Sequence, residues 1–111
     1  MSLMDRHATA REEELVYDAG YAEKVLAAFI NNGQLVTIPA KLKKQRVVLD
    51  YIVQRFEPGR GYHELDVNAL LTPLHPDVAT LRRLLITEKL MTRENSIYVR
   101  VTSEIAPDEA S

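Results

Sequence analysis

Apolar residues recur at helical spacing in four stretches of the chain and alternate in a fifth. Tyr21, Val25, Leu26, Phe29 and Ile30 are related by three- and four-residue spacings, which place them on one face of a helix. Asp18 can cap that helix and Asn31-Asn32-Gly33 can stop it. Between Lys41 and Phe56, Leu42, Leu49, Ile52, Val53 and Phe56 share one side while Lys43, Asp50 and Gln54 lie opposite, the pattern of an amphipathic helix. Val67, Leu70, Leu71 and Leu74 repeat the spacing more briefly, and Pro73 and Pro76 predict an end near Leu71.

A further helix is predicted over residues 77–87, with Val78, Leu81, Leu84 and Leu85 facing inward. Either His75 or Asp77 can cap it, Pro76 suiting a first helical position and an acidic side chain suiting the positive end of the helix dipole. Ile97, Val99 and Val101 alternate with Tyr98 and Arg100, and Met91–Arg93 precedes them across the turn residues Glu94-Asn95-Ser96, so an antiparallel hairpin follows. Leu35-Val36-Thr37-Ile38 is rich in β-branched residues and runs into Pro39, which predicts a lone edge strand.

This order specifies an α+β, mainly helical fold: a winged-helix-like arrangement of three core helices and a small antiparallel sheet, with an additional N-terminal helix. In it the lone strand at 35–38 would pair with the hairpin. Residues 18–101 are expected to form one such domain. Residues 1–17, with Glu12-Glu13-Glu14 and no apolar period, read as a mobile arm in which Met1-Ser2-Leu3 is a leader ahead of Met4. Residues 102–111 read as a frayed acidic tail.

Composition narrows the function classes. The 111 residues contain no cysteine, which removes disulfides and thiolate metal sites, and no apolar run is long enough to span a membrane. A cytoplasmic location without membrane attachment is the expectation. The net charge of −2 is unevenly distributed. Residues 34–101 carry eleven Lys/Arg against seven Asp/Glu, a balance of +4, whereas residues 1–33 and 102–111 each carry −3. The centre of the chain is therefore permissive for nucleic acid, though less basic than a dedicated binder.

Further residues then carry a resemblance. Ile38-Pro39-Ala40-Lys41, Lys43-Lys44, Val48-Leu49, Phe56, Gly59, Tyr62, Glu64, Val67-Asn68, the run His75-Pro76-Asp77-Val78-Ala79-Thr80-Leu81-Arg82-Arg83, and Tyr98 with Arg100 resemble a family of uncharacterised bacterial domains. The resemblance spans roughly residues 22 to 100, and its most specific part is the run from His75 to Arg83. Members of that family occur alone or behind an arsenic-repressor-type winged helix in proteins assigned to transcription regulation. The resemblance implies a small winged-helix-like domain and supplies no activity, ligand or catalytic residue. Two departures concern the short helix near 64–71: His63 stands where a hydroxyl cap is usual, and Pro73 interrupts a helix that is otherwise continuous.

The candidate site residues follow from placing these side chains on their elements. Thr80 and Arg83 fall on the outer face of the 77–87 helix and Arg82 on its boundary, where they could meet bases or phosphates of duplex DNA; a solvated charge paired with Glu88, Asp77 or another acid is the blander account. Lys41, Lys43, Lys44 and Arg46 crowd the first turns of a helix, against its dipole, which an anion would relieve. Arg93 and Arg100 could hold phosphates from the hairpin, or Arg100 could simply cover Tyr98. His63, His75 and Asp77 lack the spacing of a metal site, Glu64 and Asp66 suit a helix's first turn, and no nucleophile or phosphate-loop motif occurs. No enzyme, cofactor or metal is expected. The expected partners are duplex DNA and a second copy of the chain through the N-terminal helix, or alternatively a partner protein or sensed ligand on the same scaffold.

Overall fold

The computed structural model describes residues 16–101, and the chain divides into two units between Val48 and Leu49. The arm expected at the N-terminus, apart from Val16 and Tyr17, and the tail expected over 102–111 lie outside the described residues.

The first unit begins with helix α1 (Ala19–Phe29), which starts where Asp18 accepts the Tyr21 N–H at 2.8 Å. The side chain satisfies one of the donors that an N-terminus leaves free, as the sequence predicts. Val25 is buried, and Tyr21, Leu26, Phe29 and Ile30 are half-buried on the same face. Asn31-Asn32-Gly33 stops this helix, but in an unforeseen way. Strand β1 (Ile30–Asn31) turns at Asn32 (φ 55°) and Gly33 (φ 76°) into β2 (Gln34–Leu35), with Ile30 opposite Leu35. Two consecutive left-handed residues are what a two-residue hairpin needs, and Asn-Gly supplies them with the least strain.

That hairpin corrects the expected strand over 35–38. Only Leu35 of the four is extended in a sheet; Val36 and Thr37 bend away, and Val36 is 61% exposed. The local partner two residues across a tight turn captures Leu35, and Pro39 removes a donor that a longer ladder would use. Pro39 is buried, and its carbonyl accepts from the Gln45 side chain at 3.1 Å, just ahead of helix α2 (Leu42–Val53). The division between the units falls within α2.

In the second unit, α2 ends with Leu49, Ile52 and Val53 buried and closes in two short turns, Arg55 N–H to Ile52 and Phe56 N–H to Val53. Gly59 (φ 80°) turns the chain into β3 (Gly61–His63), which leads directly into helix α3 (Glu64–Leu71). Thr72 donates to the Asn68 carbonyl through both its N–H and its hydroxyl, and Pro73 then prevents continuation, so α3 ends at the residue that the prolines predict. Helix α4 (Val78–Thr87) follows. Asp77 caps it by accepting the Thr80 N–H at 3.2 Å, while the His75 ring Nδ1 accepts the Asp77 N–H at 3.0 Å, so both candidate caps are used, one outside the other. The C-terminus closes with Lys89 N–H on Ile86 and Leu90 N–H on Leu85, with Lys89 at φ 64° in the left-handed place that glycine usually fills.

Strands β4 (Met91–Glu94) and β5 (Ile97–Arg100) form the expected hairpin, turning at Asn95 (φ 59°). Its third strand is β3, giving the antiparallel order β3-β5-β4 with Tyr62 opposite Tyr98. Pro58-Gly59-Arg60-Gly61 is turn chemistry and helical spacing follows from Val67, so nothing in the sequence marks β3. Phe56, Tyr62, Val67, Leu71, Leu81, Leu85, Met91 and Tyr98 are each no more than 6% exposed and form the apolar core of this unit. The Phe56 and Tyr62 rings meet edge to face at 5.1 Å. Over the described residues the architecture is α+β, four helices with small antiparallel sheets.

Candidate functional site

Helix α4 and strand β4 border a cleft of about 210 Å³, lined by Ala79, Arg82, Arg83, Ile86, Thr87, Arg93 and Tyr98. Helical spacing puts Ala79, Arg83 and Thr87 on the face away from Leu81 and Leu85, so the amphipathic pattern that buries one side of α4 presents this cationic side to the hairpin. Three of the seven predicted site residues meet here: Arg82, Arg83 and Arg93.

Their environments differ. Arg83 is exposed, and its charge acts on the Asp77 carboxylate that caps α4. Arg82 is held inward, with only 20% of its side chain exposed. Its Nη1 donates to Asn68 Oδ1 and its Nη2 lies 3.7 Å from Glu64 Oε2, while its buried Nε has no partner. The separation of an outer Arg83 from a boundary Arg82 is therefore observed; the acid paired with Arg82 is Glu64 of α3, while Asp77 interacts with Arg83. Arg93 is half-exposed, donates through Nε to the Asn95 carbonyl at 2.8 Å, and lies with Nη2 3.8 Å from Glu64 Oε1.

Glu64 is the residue that sequence reasoning missed. It begins α3, where a carboxylate suits the dipole, and its N–H donates to the Ser96 carbonyl of the hairpin turn at 3.0 Å. Its side chain accepts the Tyr98 hydroxyl at 3.0 Å and sits beside both Arg82 and Arg93. One carboxylate thus links α3, α4 and both hairpin strands. The helix-start position was legible, but its partners lie far along the chain and leave no spacing signal.

The remaining predicted residues lie elsewhere. Thr80 is half-buried and belongs to the α4 cap: its side chain, and then its N–H, hold the Asp77 carboxyl below the usual carboxylate range. Arg100 donates to the Phe56 carbonyl at 3.0 Å, and the cation over the Tyr98 ring is Arg93, with its guanidinium 5.7 Å from the centroid. Arg100 thus fastens the strand to the end of α2. Lys43 and Lys44 stand in the first turn of α2, in the unit that ends at Val48, and Lys43 lies 4.6 Å over the Tyr21 ring. No acidic residue shares that turn.

A second groove of about 430 Å³ is bordered by Arg55, Glu57, Arg60, Tyr62, Asp66, Ala69 and Leu70. Its two arginines are matched by two carboxylates, and Arg60 already pairs with Glu57 at 3.8 Å and covers Tyr62 at 4.8 Å. It selects no charge. Among the described residues no three His, Asp or Glu side chains come together as a metal site, and no helix is long and apolar enough to cross a membrane.

The model of the family described as an uncharacterized protein conserved in bacteria (DUF2087) matches residues 34–100, which include the arginine cleft and Glu64 and leave α1 outside. No curated protein and no solved structure matches the chain significantly.

Proposed function

The chain belongs to this bacterial DUF2087 family, and from that premise we propose that α4 and the β4–β5 hairpin are a duplex-DNA-contacting module of winged-helix type, used in transcription regulation. The observation that carries the reading is the placement of Arg83 and Arg93, one on the helix and one on the adjacent strand, at a single cleft. A helix followed by a hairpin with cations on both can lay the helix in the major groove and bring the hairpin to the backbone. The element order from α2 to β5, with sheet order β3-β5-β4, supports the same reading.

Within it the arginines divide their roles. Arg83 and Arg93 hold phosphates, whereas Arg82 and Arg100 hold the scaffold, since their donors already meet Asn68, Glu64 and the Phe56 carbonyl. Thr80 contributes through the cap of the helix. One such module covers a half-site, so useful affinity calls for two copies, joined through Tyr21, Phe29 and Ile30 of α1.

Fluorescence anisotropy of the full chain against mixed duplex DNA at several salt concentrations tests the reading. Affinity should fall with a log-log slope of about −0.9 per phosphate contact, and Arg83→Ala with Arg93→Ala should flatten that slope by about 2. Absence of binding at low salt would overturn it. A protein-docking role is the second reading, favoured by Leu65, a large apolar side chain 79% exposed on α3 beside Glu64.

A further inference from the structure

We propose that the α4–β4 cleft binds a small soluble dianion, inorganic phosphate or a compact phosphomonoester, in its own right. The proposal concerns the same arginines as the DNA reading but does not require duplex to bind.

Charge is the first argument. Three guanidinium groups border one cleft; among the described residues Glu64 is the carboxylate ion-paired with them, while the Asp77 carboxylate, which caps α4, lies in the field of Arg83. The lining itself holds three cations and no carboxylate, and that excess of positive charge suits a dianion. Glu64 does not saturate its neighbours either. Its contacts with Arg82 and Arg93 are 3.7 and 3.8 Å long, well beyond the length of about 2.7–2.9 Å of a charge-assisted hydrogen bond. Its short bond, 3.0 Å, is spent on the Tyr98 hydroxyl. Glu64 therefore orients the arginines while leaving donor capacity on them.

That capacity can be located. Arg83 acts on the Asp77 carboxylate only from beyond ion-pair distance, and Arg93 commits Nε to the Asn95 carbonyl, leaving its terminal nitrogens with the long Glu64 contact. Guanidinium forks on a helix and on a facing strand can grip one tetrahedral oxyanion from two sides, the geometry in which arginine outperforms lysine. Ala79, Ile86 and the Tyr98 ring supply apolar wall, which weakens competition from water. Size sets the class of ligand. A cleft of about 210 Å³ lies below the range of roughly 300–1,000 Å³ typical of drug-sized ligands, so it suits a single phosphate group with a short substituent.

The test is a titration of the full chain, without DNA, by inorganic phosphate and by glycerol phosphate at constant ionic strength, following the arginine Nε–Hε resonances. Saturable shifts of Arg83 and Arg93 are expected, with Arg83→Ala and Arg93→Ala each weakening affinity about tenfold and Arg60→Ala in the other groove leaving it unchanged. Shifts that stay linear into tens of millimolar, that chloride reproduces, or that survive both cleft variants would overturn the proposal. If only duplex DNA moves these resonances, the cleft receives backbone phosphate and the small-anion site falls while the DNA reading stands. If phosphate saturates and duplex does not bind, the DNA reading falls and the anion site stands.

Discussion

Tyr98 on β5 donates its phenolic hydroxyl to Glu64 on α3 at 3.0 Å, across 34 residues of sequence. The bond is part-buried and joins the middle strand of the sheet to the first residue of a helix. Tyr98→Phe keeps the ring and removes the donor, and should destabilise the chain by about 1 kcal/mol. A double-mutant cycle with Glu64→Ala, read by urea unfolding, should show a coupling of about 0.5–1.5 kcal/mol; simple additivity would mean that the bond contributes nothing to stability.

Adjacent arginines should behave oppositely. Arg82→Ala strands Asn68 and Glu64 and removes a side chain that is 80% covered, so unfolding should become easier by about 1–2 kcal/mol. Arg83→Ala removes an exposed group that acts on Asp77 only from beyond ion-pair distance, and should stay within about 0.5 kcal/mol of the parent. Denaturation curves of the two variants side by side check the contrast, and equal effects would contradict it.

Two left-handed positions predict changes of opposite sign. Gly33 at φ 76° tolerates its conformation, and Gly33→Ala should destabilise by about 1 kcal/mol. Lys89 at φ 64° bears a side chain where the helix terminus prefers none, so Lys89→Gly should stabilise by a few tenths to about 1 kcal/mol. Thermal unfolding midpoints should move down for the first and up for the second.

Asp77 makes the α4 cap pH-dependent. Hydrogen bonds from the Thr80 side chain and N–H lower its carboxyl in the folded chain, so its contribution is full at neutral pH and is lost as pH falls through the lowered folded-state value. Asp77→Ala should therefore lower the unfolding midpoint at pH 7 and make progressively less difference as acid is added. A gap that stays constant down to pH 3 would show that ionisation of Asp77 is not what stabilises the cap.

Much of the scaffold is legible because it rests on interactions within a few residues. The apolar periods of α1, α2 and α4 identify those helices, Asp18 and Asp77 mark two N-termini, and Pro73 fixes the end of α3. The same periodicity separates Arg83 from Arg82, since a residue's angle around a helix follows from its number alone. Asn32-Gly33 was equally legible as a hairpin turn, yet beside a helix end it also satisfies the pattern of a stop, and only the pairing of Ile30 with Leu35 distinguishes the two.

The sequence by itself determined which segments are helical, where most of them begin and end, that a hairpin follows α4, and which of its arginines faces outward. Tertiary structure decided that Gly61–His63 is a strand, because three residues carry no period of their own and become extended only against the register of β5. It also decided that Glu64 gathers Arg82, Arg93 and Tyr98, and so how much positive charge the cleft retains. Local order follows from backbone and near-neighbour preferences, whereas the reach of one carboxylate to three distant side chains depends on how α3, α4 and the sheet pack.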